Sequence, residues 1–130
     1  MPELPEVETI KNELSPWVID QYFTQVTLFD ADLVSGISAE DFCHRLAGQM
    51  IRGLERRGKY LIFNLASSWA MIMHFRMTGS LLLNPGKIER YARAAFHLSN
   101  GERLVFIDPR RFGVIWLVRD VDTVLAKLGP

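Results

Sequence analysis

The sequence predicts a mainly β protein of the α+β class, built as an antiparallel β-sandwich with flanking helices. Three observations lead to this prediction. Short apolar segments follow one another at close spacing, turn sequences separate several of them, and helical patterns stand at both ends of the chain. The length of 130 residues suits one domain that buries its own core.

The opening, MPELPEVETI, predicts a helix. Pro5 suits the first helical position, and Glu6 and Glu8 lie in the first turn, where the helix dipole favours anions. Pro16 is expected to end this helix. The apolar positions that repeat at helical spacing are Val7, Ile10 and Leu14.

Strand signals dominate most of the remaining chain. The sequences NPG at 84–86, NG at 100–101 and DPRRFG at 108–113 predict turns. Close spacing with hairpin turns implies that neighbouring strands pair in antiparallel fashion. The predicted strands are 22–29, 49–56, 59–65, 69–75, 79–84, 93–98, 102–107 and 113–118.

Two further helices are predicted. A capping box at 38–41 begins a short helix that turns Phe42 and Leu46 inward. The closing stretch DVDTVLAKLGP predicts a helix ended by Gly129 and Pro130, a pair that usually leads into a linker. We therefore expect the first domain of a longer protein. The apolar face of this last helix consists of Val121, Val124, Leu125 and Leu128.

Composition excludes several classes of protein. A hydrophobic content of 48%, with eight Phe and three Trp, is unlike a disordered chain. The apolar stretches are too short to span a membrane, and the acidic, proline-rich start is unlike a secretory signal. Cys43 is the single cysteine, which excludes an internal disulfide and a multi-cysteine zinc site in this chain. A cytoplasmic location is the default expectation.

The balance of charge favours no class of partner, because 15 Lys and Arg residues match 15 Asp and Glu residues. The distribution is uneven, with two local basic clusters, Arg52, Arg56, Arg57 and Lys59 in one and Arg110 and Arg111 in the other. Such clusters are a weak nucleic-acid signal. On charge alone, a solvated basic face is the favoured interpretation.

The N-terminus carries a possible nucleophile. If Met1 is removed, Pro2 has a terminal secondary amine, and an α-amino group titrates about 2.5 units below lysine. Free amines attack electrophilic carbon and form Schiff bases, and Glu3 and Glu6 lie close enough in sequence to act as acid, base or orienting group. The alternative is a proline-started, acid-capped helix, which the opening alone favours.

Two predicted turns carry apolar side chains beside cations. Met77 precedes the Thr-Gly pair in MHFRMTGSL, and Phe112 follows Arg110 and Arg111 at the tip of DPRRFG. Exposed Met and Phe fit an apolar wedge that enters the base stack of a kinked duplex. The alternative, that Phe112 packs back into the core, is equally consistent with the local sequence.

Two more residues have weak local signals. Lys59, in RRGKY, is a cation that could meet a phosphate. His74 lies in a predicted strand, where a satisfied interior or edge histidine is more common than a ligand or a phosphate contact.

Four separated segments coincide with one family. The sequence resembles the N-terminal domain of the formamidopyrimidine-DNA glycosylase and endonuclease VIII group of DNA repair enzymes. One such motif would be weak, but four in the expected order along nearly the whole chain are specific. The matching segments are PELPEVET at 2–9, RRGKYL at 56–61, MHFRMTGSL at 73–81, and DPRRFG at 108–113 followed by KLGP at 127–130.

The resemblance implies two antiparallel sheets packed as a sandwich with a helix on each side. It also implies excision of oxidised purines, such as 8-oxoguanine and formamidopyrimidines, followed by strand cleavage at the resulting sugar by β-elimination. The implied partner is double-stranded DNA with oxidised bases, and the protein is expected to be a monomer. In this mechanism the amine of Pro2 attacks the sugar C1′ and forms the imine, Glu3 helps to open the deoxyribose ring, and Glu6 supports the site.

The same resemblance implies roles at the other matching positions. Lys59, counted with the catalytic residues, and His74 would contact phosphates beside the lesion. Met77, Arg110 and Phe112 would fill the space left by the flipped nucleotide, with Arg110 facing the orphaned base. Arg111 would also bind DNA.

Some features of the family lie outside these 130 residues or differ within them. A helical DNA-binding domain and a C-terminal zinc finger are expected elsewhere, so no cofactor is expected in this chain and one zinc ion in the missing domain. A retained Met1 would make the Pro2 nitrogen an amide, which cannot form the imine.

Three alternatives remain open. One is a non-catalytic DNA-binding domain of the same fold. Another is an endonuclease VIII-like enzyme for oxidised pyrimidines, favoured by Arg76 in HFRMTG, where the purine branch usually has glycine. The third is a protein-interaction β-sandwich whose start is only a helix cap.

Overall fold

The computed structural model describes residues 4–86 and 90–129, with side chains of the first helix described from Glu6 onward. The helices are α1 (Leu4–Val18), α2 (Ala39–Leu46) and α3 (Val121–Leu128), with a short 3-10 turn at Ala31–Leu33. The strands are β1 (Phe23–Leu28), β2 (Ile51–Arg57), β3 (Tyr60–Leu65), β4 (Ala70–His74), β5 (Ser80–Leu83), β6 (Ala92–Leu98), β7 (Arg103–Ile107) and β8 (Val114–Val118).

The strands form two antiparallel four-stranded sheets. The first sheet has the order β1-β6-β7-β5 and the second has the order β2-β3-β4-β8. The predicted α+β sandwich is therefore confirmed, and each predicted strand segment overlaps one observed strand.

The main core fills the space between the sheets with aromatic and aliphatic side chains. Alternation along β6 turns Ala94, Phe96 and Leu98 inward, and the Phe23 ring lies 5.9 Å from that of Phe96. Helix α1 contributes Val7, Leu14 and Val18 to the same cluster, and α2 contributes Phe42 and Leu46. A second cluster lies between α3 and the outer face of the second sheet, where Ile62 and Ile72 are fully buried. The helices thus cover the flanks of the sandwich and one outer face.

The predicted end of α1 at Pro16 is wrong, because the helix runs on to Val18. Proline has no backbone N–H, so the helix loses one i→i−4 hydrogen bond at Pro16 and nevertheless continues for two more residues. The hydroxyl of Ser15 donates to the carbonyl of Lys11 at 2.6 Å. Val18 is completely buried, so packing outweighs the local signal at Pro16.

Two of the three predicted turns do not form hairpins. The DPRRFG segment leads from β7 in the first sheet to β8 in the second, and the segment after β5 leads to β6, which lies on the other side of β7. Only the turn at 100–101 joins paired strands, with Gly101 at φ +87°. Close spacing therefore predicted antiparallel strands correctly but not which strands are partners.

The capping predictions are confirmed at Ser38 and Gly129, whereas Pro130 lies outside the described residues. The hydroxyl of Ser38 accepts the backbone N–H of Asp41 at 3.1 Å, and Phe42 and Leu46 are fully buried. Gly129, at φ +86°, closes α3 with its N–H on the carbonyl of Leu125. Three of the four apolar positions of α3 pack on the second sheet, whereas Leu128 stays 37% exposed. Among the described residues, no helix has the length and apolar character needed to cross a membrane.

Candidate nucleic-acid interface

Two segments cross from one sheet to the other at the same end of the sandwich. Residues 75–79 lead from β4 to β5, and residues 108–113 lead from β7 to β8. Because His74 pairs with both Tyr60 and Val114 across the second sheet, the β2–β3 turn reaches the same level. We call this end the rim and define it as residues 58–59, 74–79 and 108–113.

The turn after β4 holds Met77 away from the core. The N–H of Gly79 donates to the carbonyl of Phe75 at 2.9 Å, and a Cβ on Gly79 would lie 2.6 Å from that oxygen. Phe75 is buried and stacks on Phe106 with ring centroids 5.5 Å apart. Arg76 takes φ +53°, a left-handed conformation that is uncommon for residues with a Cβ. Met77 is consequently 52% exposed.

Asp108 organises the second crossing segment. Its fully buried carboxylate accepts the backbone N–H of Gly113 at 2.6 Å, the N–H of Arg110 at 3.2 Å and the hydroxyl of Thr78. A Cβ on Gly113 would lie 2.8 Å from the ring of Phe106, so the close approach requires glycine. One carboxylate thus closes this loop and ties it to the turn that carries Met77.

The three predicted wedge residues lie on these two joined segments. Phe112 is 44% exposed, and the guanidinium carbon of Arg110 lies 4.8 Å from its ring centroid. Within the described ranges, Arg110 makes no salt bridge with a carboxylate. The alternative that Phe112 packs back into the core is therefore wrong.

His74 is an interior histidine whose ring nitrogens are both unsatisfied. Neither Nδ1 nor Nε2 has a hydrogen-bond partner among the described residues. Burial, with the nearby charges of Arg76 and Lys59, lowers the pKa of His74 from 6.5 to about 4. The ring is therefore neutral at pH 7, and it packs on Tyr60 with centroids 4.9 Å apart. An unpaired buried donor beside two cations is suited to an anionic acceptor.

Two arginines of the first basic cluster are already paired. Arg56 lies 2.9 Å from the carboxylate of Glu8 in α1, and Arg57 pairs with Asp122 in α3. These contacts fasten the β2–β3 hairpin to both helices. Lys59 follows in the turn itself, and its Nζ lies 6.0 Å from the ring centroid of Tyr60.

Arg111 makes a different contact from its neighbour Arg110. Its guanidinium donates two hydrogen bonds of 2.8 Å to the carboxylate of Asp30, in the loop after β1. These bonds hold the pKa of Asp30 below its usual range. Arg111 takes φ +60°, and this turn of the backbone separates it from the wedge residues. Its predicted contact with DNA stays a prediction.

The predicted nucleophile and its partner, Pro2 and Glu3, lie outside the described residues. Glu6 is exposed in the first turn of α1. The ion pair between Glu8 and Arg56 brings this part of the helix to the β2–β3 hairpin, next to the rim. The catalytic roles of Pro2, Glu3 and Glu6 stay predictions.

Residues 4–86 and 90–129 contain no cluster of three or more His, Cys, Asp or Glu side chains that could hold a metal ion. Cys43 is half-buried, and burial raises the pKa of its thiol.

Sequence reasoning missed the part played by Asp108 and Thr78. The Asp-Pro pair predicted a turn, and aspartate in such turns often accepts backbone N–H groups two residues on. This local pattern predicts the hydrogen bonds that the Asp108 carboxylate makes within its own loop. The partner Thr78 lies 30 residues earlier, and no local pattern links the two.

Comparisons with known proteins point to one family. A family model described as the formamidopyrimidine-DNA glycosylase N-terminal domain matches residues 1–115. The formamidopyrimidine-DNA glycosylase of Moorella thermoacetica is 40% identical over 136 residues, and that of Protochlamydia amoebophila is 38% identical over 133 residues. These alignments cover 100% of this chain and 50% and 48% of the respective relatives. The chain thus spans about half the length of the curated relatives it matches.

Solved structures show the same similarity. The Lactococcus lactis FPG (MutM) protein in complex with DNA that contains FAPY-dG superposes with a TM-score of 0.86 at 31% identity. A complex of the Lactococcus lactis protein with DNA that contains an abasic site also gives a TM-score of 0.86 at 31% identity. Each match covers 97% of this chain and 47% of the other chain.

Proposed function

Because the chain belongs to the formamidopyrimidine-DNA glycosylase family, we propose that it is the N-terminal part of a bifunctional DNA repair enzyme. This enzyme excises oxidised purines, with 8-oxoguanine and formamidopyrimidines as substrates, and then cleaves the strand by β-elimination. Its partner is double-stranded DNA.

The observation that carries the proposal is the exposed apolar pair on the rim. Extruding a nucleotide from a duplex leaves a gap in the base stack, and apolar side chains can enter such a step. Met77 and Phe112 are each about half exposed, although the domain has a core that buries most of its large apolar residues. Arg110, stacked on Phe112, would offer its donors to the base left without a partner.

His74 and Lys59 support the same function from beside the wedge. The neutral imidazole carries one N–H donor that no described residue accepts, and Lys59 supplies positive charge nearby. Contacts of this kind fix the register of DNA on a protein without reading its sequence. Both residues would hold the phosphates that flank the extruded nucleotide.

The chemistry is assigned to Pro2. With Met1 removed, its nitrogen attacks the sugar C1′ as the bond to the damaged base breaks, and it then loses a proton. Glu3 protonates the ring oxygen as the deoxyribose opens, which gives the iminium, and Glu6 supports this arrangement. Loss of a proton from C2′ then expels the phosphate on C3′, and the strand is cleaved.

The backbone at Arg76 is compatible with the purine branch. Arg76 stands where the purine branch usually has glycine, and this departure favoured the endonuclease VIII branch. At φ +53° the arginine adopts a conformation that glycine takes freely. The turn therefore keeps a shape that glycine would also give, and DPRRFG remains the more informative motif.

The rest of the proposal concerns the whole protein. A helical DNA-binding domain and a zinc-finger domain would follow this one and add phosphate contacts. The zinc ion belongs to that second part, and the N-terminal part uses no cofactor. The enzyme acts as a monomer in the cytoplasm.

Reduction with borohydride tests the proposed chemistry. The full-length protein, processed to begin at Pro2, is incubated with duplex DNA containing 8-oxoguanine, and we expect a stable covalent adduct that peptide mapping places on Pro2. The same protein with Met1 retained is the matched control and should give none. An adduct on a lysine would contradict the mechanism, and no adduct with the processed protein would favour a non-catalytic DNA-binding domain.

A further inference from the structure

We propose that Asp108 is a positioning residue that, through the hydroxyl of Thr78, holds Met77 and the Arg110–Phe112 pair as one rigid wedge. The proposal deepens the function above and rests on it. The two crossing segments of the rim would then act on the base stack together and not as separate loops.

The bonds of the Asp108 carboxylate are divided between the two segments. Two of them come from backbone N–H groups of its own loop, at Arg110 and Gly113, and the third comes from Thr78 on the other segment. Hydrogen bonds to an ionised acceptor are the stronger kind, and a buried carboxylate is costly unless such donors surround it. Loss of the Thr78 donor therefore removes the hydrogen bond between the two segments, while the stacking of Phe75 on Phe106 remains.

The backbone of Asp108 is itself fixed to the first sheet. Its N–H donates to the carbonyl of Tyr91 at 3.0 Å, and its carbonyl accepts Nε of Arg93 at 3.0 Å. The carboxylate is thus a fixed point between two irregular segments. The pairing of Arg111 with Asp30 anchors the far side of the loop in the same way.

Rigidity matters here because a wedge works by holding an unfavourable DNA geometry. Side chains that are already ordered lose less freedom on binding, so more of their contact energy appears as stabilised DNA distortion. Met77 and Phe112 come from segments about thirty residues apart in the chain, and in the described part of the chain the Thr78–Asp108 bond is a side-chain hydrogen bond between those segments. The coupling should affect excision from duplex DNA and leave cleavage at an exposed abasic sugar unchanged.

The main test is Thr78→Val in the full-length protein, because valine keeps the shape and removes the donor. We expect single-turnover excision of 8-oxoguanine from duplex DNA to slow about tenfold, as for loss of one hydrogen bond to a charged group. Cleavage of a single-stranded abasic oligonucleotide should stay at the wild-type rate. Thr123→Val is the matched control, since the hydroxyl of Thr123 bonds the carboxylate of Asp120 at the start of α3.

Two further measurements separate positioning from simple folding. Amide hydrogen exchange at Arg110 and Gly113 should accelerate in Thr78→Val and not in Thr123→Val. Met77→Ala and Phe112→Ala should each lower the rate of duplex excision. Their combined effect should differ from the sum of the single effects in the wild-type protein, and should equal that sum in the Thr78→Val background. Asp108→Asn should act in the same direction as Thr78→Val, and Thr78→Val alone decides the test if Asp108→Asn does not fold.

The outcomes are distinct. Faster exchange together with slower duplex excision supports the proposal. Unchanged exchange, or faster exchange with unchanged duplex excision, overturns it. If the wild-type protein excises nothing and gives no borohydride adduct, the proposed function fails, and the exchange data still decide whether Thr78 couples the two segments.

Discussion

Both ends of the sandwich expose large apolar side chains beside arginines, but their interiors differ. At the end opposite the rim, the backbones of Tyr22 and Met50 pair through a single antiparallel β-bridge. Their side chains are 47% and 41% exposed. Arg45 and Arg119 lie there with guanidinium carbons 4.5 and 5.3 Å from the ring centroid of Trp69. By exposure and local charge alone, this end resembles the rim.

Buried polar groups distinguish the two ends. Among the described residues, the side chains classed as both buried and polar are those of His74 and Asp108, and both belong to the rim. Exposed apolar residues are common on protein surfaces, whereas a buried polar side chain has a cost that needs a compensating contact. The rim therefore differs from the opposite end in its buried polar side chains and not in its exposed apolar residues.

The largest expected effect comes from adding a Cβ at Gly79, where the backbone of Phe75 lies very close. We expect Gly79→Ala to lower the free energy of unfolding by about 2–4 kcal/mol, because the new Cβ would meet the Phe75 carbonyl at 2.6 Å. The matched control is Gly53→Ala in β2, where a Cβ meets nothing within 4 Å. Denaturant unfolding compares the two variants, and equal losses would show that the rim turn is not a constrained point.

A second test uses the buried histidine of the rim. The folded-state pKa of about 4 lies below the unfolded value of 6.5, so the folded state binds fewer protons between them. The contribution of His74 to the free energy of unfolding is complete above about pH 6.5. It decreases by roughly 2–3 kcal/mol as the pH approaches 4. Carboxylates add to this slope in every variant, so the informative quantity is the difference between variants.

His74→Gln should remove this part of the pH dependence. His44→Gln, at an exposed position of α2, is the control and should keep the wild-type curve. Denaturant midpoints between pH 4 and 7 measure both. A His74→Gln curve parallel to the wild type would show that the imidazole is solvated and that this contrast between the two ends is mistaken.

The third test compares two aromatic side chains of similar exposure. Phe112→Ala should slow excision from duplex DNA about tenfold or more, because unstacking a base step costs a few kcal/mol that the wedge helps to offset. Tyr22→Ala, at the opposite end, should leave excision unchanged. Thermal unfolding should show little change for either variant. Unfolding of Phe112→Ala, or equal excision by both variants, would remove the functional distinction between the ends.

The smallest expected effects separate Arg110 from Arg111. Arg111→Gln should lower the thermal midpoint, because it removes the bidentate contact with Asp30, and Arg110→Gln should not. Arg110→Gln should instead slow excision from duplex DNA, because it weakens the donors offered to the base left without a partner. A stability loss in Arg110→Gln, or an unchanged midpoint in Arg111→Gln, would contradict this division of roles.

Local patterns in the sequence predicted the elements well. Alternating apolar residues and turn chemistry located the strands, and the Ser38 cap located α2, since these signals lie within a few residues of the structure they specify. Pro16 was the exception, because the burial of Val18 depends on the rest of the fold.

Contacts between distant segments could not be predicted in this way. The bond between Thr78 and Asp108 spans 30 residues, and that between Arg111 and Asp30 spans 81. The unsatisfied state of His74 depends on three strands that meet around it. Motif resemblance supplied the predicted wedge residues Met77, Arg110 and Phe112, and the structure shows which contacts hold the segments that carry them.

Each sheet combines strands from distant parts of the chain, and this arrangement affects how the domain folds. The first sheet needs β1 from the start of the chain beside β6, and the second needs β8 from its end beside β4. Pairings so distant in sequence form late and slow the folding of a domain. The 108–113 segment is also the last part of the rim to leave the ribosome. A partly synthesised chain can therefore build the β2–β3–β4 meander, but the rim is complete only when residues 108–113 have been made.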